Sequence, residues 1–143
     1  MRKIIFRGFS KGLCKWIYGD LEHAEEEQAH IWPVPDSRDN RADAVSPESI
    51  GQYTGLKDRE GREIYEGDIL SFVSEEGYVA YCVERAQYVV HPRQGKYEKS
   101  LAFICETKKP VIIGNTYENP ELLETFNCGQ HELQINFLKE EAE

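Results

Sequence analysis

Residues 52–73, QYTGLKDREGREIYEGDILSFV, constrain the fold more than any other stretch of the chain. Strand-forming residues there are punctuated by two tight-turn signals. Tyr53, Thr54 and Leu56 suit a pleated surface, and Gly55 weakens or bends it. In Lys57-Asp58-Arg59-Glu60-Gly61, Asp58 can accept hydrogen bonds from backbone amides two residues on, and Gly61 can take a positive φ without steric cost. The pattern predicts a hairpin. Ile64 and Tyr65 resume a strand, and Glu66-Gly67-Asp68 reads as a second turn or a glycine bulge. Residues 69–73 are apolar on both faces apart from Ser71, as a central strand would be.

The rest of the chain extends this pattern. Residues 3–9 and 13–18 predict two strands around Ser10-Lys11-Gly12, with Ile4 and Phe6 on one face of the first. Cys14, Trp16 and Tyr18 share a face of the second, and the basic residues are expected mostly on the opposite faces. Residues 78–83 and 87–91 alternate, and Glu75-Glu76-Gly77 predicts the turn before them. Residues 92–100 read as a loop, and 101–105 and 111–114 as two more strands. Asn119-Pro120-Glu121 is a helix start, with Asn as N-cap, Pro in the first helical position and Glu in the positive first turn. Leu122, Leu123 and Phe126 would dock that helix, and 131–138 would add a strand or helix. The expected fold is mainly β: a small barrel-like or strongly curled antiparallel sheet with SH3-like elements and a short C-terminal helix. A chain of 143 residues suits one domain, 1–143, with a helix and tail over about 119–143. Pro33, Pro35, Asp36, Ser37, Asp39 and Asn40 break any regular pattern, so residues 22–49 are expected to form a long polar loop with helical pieces, one turn starting at Ser46-Pro47.

Several chemistries can be weighed. Asp58, Glu66 and Asp68, with Glu63, would make an acidic site of a small metal-assisted hydrolase if they converged, but turn geometry alone wants an Asp at 58 and at 68. Cys128 and His131 have the spacing of half a zinc site without a second half, and Cys14, Cys82 and Cys105 lie in no C-x-x-C pair, which predicts free thiols. No glycine-rich phosphate loop, H-E-x-x-H or nucleophile elbow is present. The sequence therefore assigns no catalytic residue, no metal and no cofactor. A net charge of −9 argues against nucleic acid, although Arg2, Lys3, Arg7, Lys11 and Lys15 all precede the first acid, Asp20. That basic hairpin with its aromatics is the nucleic-acid alternative. The leading reading is a binding module. Ile31 and Trp32, beside Glu25 and Glu26, would form an interface anchor within the 22–49 loop; the competing reading has Trp32 folding back to plug one end of the barrel. A homo-oligomer is compatible with the same reading. No apolar run approaches a membrane span and no apolar leader segment follows the basic N-terminus, which predicts a cytosolic protein.

The string formed by Gln52, Thr54, Gly55, Leu56, Asp58, Gly61, Ile64, Tyr65, Gly67 and Asp68 resembles the signature of the YopX-type proteins of bacteriophages and prophages. Gly114, Asn115, Tyr117, Glu118, Asn119, Pro120 and Leu122 resemble that family's closing motif, and KIIFRGF its opening, with Gly8-Phe9 where Ala-Trp is more usual. The resemblance implies a small, mostly β accessory protein of the bacterial host cytosol, encoded by a phage and acting on a host or phage macromolecule. It brings no catalytic residues with it.

Overall fold

The computed structural model describes residues 1–22, 27–34 and 41–125. They are mainly β, with one α-helix, and the strands form antiparallel sheets. The chain divides into two compact units, Met1–Gly55 and Leu56–Glu143.

The first unit contains β1 (Phe6–Ser10), β2 (Lys15–Glu22), β3 (Ala29–Pro33), β4 (Asp43–Val45) and the start of β5 (Gly51–Lys57), in the sheet order β4-β3-β2-β1-β5. The Ser10 hydroxyl accepts the Leu13 N–H at 3.1 Å and closes the first hairpin. Alternation then sorts β2: Ile17 and Gly19 are buried, while Tyr18 and Asp20 face outward. Ile17, Ala29, Ile31 and Val45 form the core, flanked by Phe6, Leu21 and Ile50. Gly8 makes that core possible, because a Cβ there would lie 2.7 Å from a Val45 methyl. Past β4 the chain returns to β1, where the Ser46 N–H donates to the Phe9 carbonyl at 2.9 Å. Ser49 then accepts the Phe9 N–H at 2.7 Å and donates to the Ser46 carbonyl at 2.6 Å. The sheet therefore curls, but its strand order stays open, so of the expected barrel-like or curled sheet no closed barrel is formed among the described residues.

The expected 22–49 loop is corrected here. It holds β3, β4 and the expected one-turn helix at Pro47–Ser49. Ala29 and Ile31 are two residues apart and both fill the core, a strand signal masked by the Pro- and Asp-rich residues that follow.

The second unit contains β6 (Glu63–Tyr65), β7 (Asp68–Phe72), β8 (Glu75–Cys82), β9 (Gln87–Pro92), β10 (Lys99–Ser100), helix α1 (Leu101–Lys108) and β11 (Val111–Asn115). Five of these strands form a sheet in the order β10-β9-β8-β7-β11. On one face Leu70, Phe72, Val79 and Val90 pack with Ile64 and with Leu101 and Ile104 of α1; on the other, Ile69 and Tyr78 pack with Leu123. The segment expected as a strand at 101–105 is thus helical. Ser100 caps it by accepting the Phe103 N–H at 3.4 Å, and Lys109 ends it in the left-handed region at φ 45° before Pro110. Burial of Leu101 and Ile104 on one helix face is worth about 1.5–3 kcal/mol each, more than the local strand preference of a short apolar run. The β7–β8 turn is Val73-Ser74, two residues before the expected one, with φ of 33° and 64°. After β11, the expected C-terminal helix is a 3-10 segment, Pro120–Thr125. Phe126, the Cys128–His131 spacing and the expected element at 131–138 lie outside the described residues, as do Glu25 and Glu26.

Candidate functional site

The two long motifs meet in the second unit, with Asp58 at their junction. Its side chain is fully buried. Oδ1 accepts the Glu60 N–H at 3.0 Å and the Arg62 N–H at 2.8 Å; Oδ2 accepts Arg62 Nε at 3.0 Å and the Ile112 N–H at 3.1 Å. Arg62 Nη2 in turn donates to the Ile112 carbonyl at 2.9 Å, and the Arg59 N–H donates to Pro110 at 2.8 Å. The carboxylate and guanidinium together hold both polar groups of Ile112, as a neighbouring strand would. Gly61 completes the turn at φ 82°, the positive value expected of it. Burial by itself pushes the Asp58 carboxyl up, but the hydrogen bonds from Ile112 and Arg62, the Arg62 charge and the Glu60 amide together hold it below the ordinary Asp range.

Other residues of the two motifs also hold turns. Asp68 is buried, and its Oδ2 accepts the Tyr65 N–H at 2.7 Å across the Gly67 turn, where φ is 90°. Glu66 is half-buried on the same turn. Both Asp carboxylates of the expected acidic site are therefore engaged by the backbone of their own turns. Among the described residues no three His, Cys, Asp or Glu side chains gather as metal ligands. Gly114 lacks a Cβ where one would meet Asn119 Oδ1 at 2.5 Å. Asn119 does not cap forward as expected: its Oδ1 reaches back to the Asn115 N–H at 3.1 Å, while Asn115 Oδ1 accepts the Tyr117 and Glu118 amides at 3.1 and 2.8 Å. Half-buried Cys105 has its thiol pushed up by burial and by the Asp58 charge, against the opposing pull of Lys109, which disfavours a thiolate nucleophile. Burial also keeps His91 below the ordinary His range, against the pull of Glu98 at 3.8 Å.

A different surface offers itself on the outer face of the first unit's sheet. Cross-strand register places Arg7 opposite Tyr18 and Phe9 opposite Trp16 in β1–β2, and Asp20 opposite Trp32 in β2–β3. The Val34 N–H donates to the Tyr18 carbonyl at 3.0 Å, which brings Val34 beside Tyr18. Tyr18, Trp32 and Val34 are 40%, 39% and 51% exposed. Trp32 thus lies on a strand surface, whereas Ile31, its expected companion in binding, is fully buried in the core because consecutive strand residues point to opposite faces. The expected separation of basic and aromatic faces is also corrected. Arg7 is buried with its guanidinium 4.6 Å from the Trp16 ring centre, and Phe9 meets Trp16 edge-on at 5.5 Å. Lys3 lies 5.9 Å from the Tyr53 ring and Lys11 3.9 Å from Glu48, so these hairpin cations are engaged within the unit. Tyr18 and Val34 were not legible as partners of Trp32, since only the register reveals them.

The second unit also holds an open cavity of about 280 Å³ lined by Ser71, Ser74, Glu75, Glu76, Arg93 and Gln94. Its charged groups are paired: Arg93 with Glu76 at 3.3 Å, and Glu75 with Lys99 and Lys108 at 3.2 Å each. The Lys108 hydrogen bond, the largest influence, and Lys99 outweigh burial and hold Glu75 below the ordinary Glu range. Glu75 thereby ties α1 and β10 to the start of β8.

Fold and motifs together define an antiparallel β protein of two units whose signature residues build turns and cover a strand edge. The profile of the YopX protein family matches residues 5–124, and the chain belongs to that family. Among solved structures it is similar to protein EF1440 from Enterococcus faecalis, with a TM-score of 0.50 and 21% identity over 85% of this chain and 99% of that one. At that identity the likeness concerns the fold. A search of curated proteins returns no match. Among the described residues no helix is long and apolar enough to cross a membrane.

Proposed function

We propose that the chain is a non-enzymatic binding module, a phage or prophage accessory protein that engages a host or phage protein in the bacterial cytosol through the outer face of its first unit. The observation that carries this reading is the exposure of Tyr18, Trp32 and Val34 side by side on one sheet face. Single exposed apolar residues are ordinary, but a cluster containing Trp and Tyr is the composition of an interface anchor. The engagement of Asp58 and Asp68 by turn backbone supports the same reading, because turn geometry accounts for both acids. Glu25 and Glu26, the acids expected beside Trp32, lie outside the described residues. The test is capture from a bacterial lysate with the wild-type chain and Trp32→Ala at matched thermal stability. Recovery of a specific protein by the first and not by the second is expected; equal recovery by both would remove the face from the account.

A further inference from the structure

The exposed aromatic face is rimmed by acids, and from this we infer the chemistry of its partner: a protein segment that presents an apolar side chain flanked by lysine or arginine. The inference rests on the binding reading above and deepens it. In β2 and β3, Asp20 lies directly across from Trp32, and Glu22 directly across from His30. Asp20 and Glu22 are exposed, as is Glu27 just ahead of β3. Directly paired residues of an antiparallel sheet have their Cβ atoms about 4.5–5.5 Å apart, well inside a Debye length of about 8 Å at physiological salt. A group stacked on the Trp32 ring therefore feels Asp20 with little screening. A nucleic-acid base stacked there would bring its phosphate to an anionic rim. One hairpin cation, Arg7, lies across from Tyr18 on this face but is buried with its guanidinium against Trp16, while Lys3 lies near Tyr53 and Lys11 near Glu48. A cationic segment meets the opposite situation, since the rim attracts it and the net charge of −9 steers its approach. The ring, the Tyr18 face and the Val34 methyls supply an apolar seat, and the acids select what flanks the anchor.

A randomised dodecapeptide display library, selected on the full chain, tests this with oligothymidine as a parallel ligand. Enrichment of lysine or arginine around a single apolar or aromatic residue is expected. Affinity of a selected peptide should fall by about tenfold or more in Trp32→Ala and weaken with added salt. The surface variant Asp20→Lys/Glu22→Lys should shift the selection toward acidic flanks, and Trp32→Phe should retain most of the affinity if Trp32→Ala proves unstable. Selected peptides that depend on Trp32 but carry acidic or neutral flanks would overturn the inferred chemistry and leave the binding face standing. Peptides indifferent to Trp32, or no enrichment at all, would overturn both. Tighter binding of oligothymidine than of any selected peptide would replace the protein partner with nucleic acid.

Discussion

Asp58→Asn is the most informative single perturbation of the fold, because it keeps the size of the side chain and removes only charge and one acceptor. The carboxylate accepts from the Glu60 and Arg62 amides on one oxygen, and from Arg62 Nε and the Ile112 amide on the other. An asparagine has one acceptor oxygen, so its NH₂ must face one of those two donor pairs. Whichever way it turns, two attractive contacts become donor against donor. A hydrogen bond to a charged group contributes about 1.5–3 kcal/mol. The Arg62 side chain is 49% exposed and can turn to water, which discounts its share, whereas the buried side of the turn cannot relax. The expected loss is about 3 kcal/mol, in the range for breaking one partner of a buried pair. Urea unfolding with an unchanged m value would measure it. A loss below about 1 kcal/mol would show that the four contacts do not act as the joint between the turn and β11. The pH dependence gives a second reading of the same group. Its folded pKa lies below the unfolded one, so its contribution is complete above the unfolded value and is lost as pH falls through the folded value. Wild type should therefore lose stability on acidification below about pH 4 more steeply than Asp58→Asn does.

Three further outcomes follow from the same structure. Gly61→Val, at φ 82°, should cost about 1–2 kcal/mol or more because a β-branched residue resists the left-handed region, and an unchanged melting temperature would contradict this. Replacing Val73-Ser74 by Asn-Gly should stabilise the chain by about 1 kcal/mol, because positive φ at both positions suits that pair; a loss of stability in thermal melts would show that the turn is held in another way. Glu75→Gln should cost under about 1 kcal/mol and lose its effect in high salt, since Glu75, Lys99 and Lys108 are 39%, 36% and 28% exposed; a large, salt-independent loss would mean that the staple is effectively buried.

The sequence was most legible where a turn residue has only one conformational job. Gly61 and Gly67 lie at positive φ, and Asp58 accepts from the amide two residues on, as their positions demand. Elements whose local signal was ambiguous were less legible. Leu101 and Ile104 belong equally to an apolar strand or to one face of a short helix, and only packing against Leu70 and Val90 decides between them. The Val73-Ser74 turn carries no glycine or asparagine to mark it, and β3 is masked by the Pro- and Asp-rich residues that follow. The candidate face was half visible. Trp32 stood out by composition, but its neighbours Tyr18 and Val34 depend on the β2–β3 register, which no local pattern specifies. The same register moved Ile31 from the proposed surface into the core.

On the proposed reading, the family motifs build the fold and binding falls to the outer face of the first unit. Hydrogen–deuterium exchange of the full chain, with and without its captured protein partner, tests that division most directly. New protection is expected in β2 and β3, around Tyr18 and Trp32, with exchange at residues 58–68 and 110–119 unchanged. Protection confined to those two motif segments, with β2 and β3 unaffected, would contradict it.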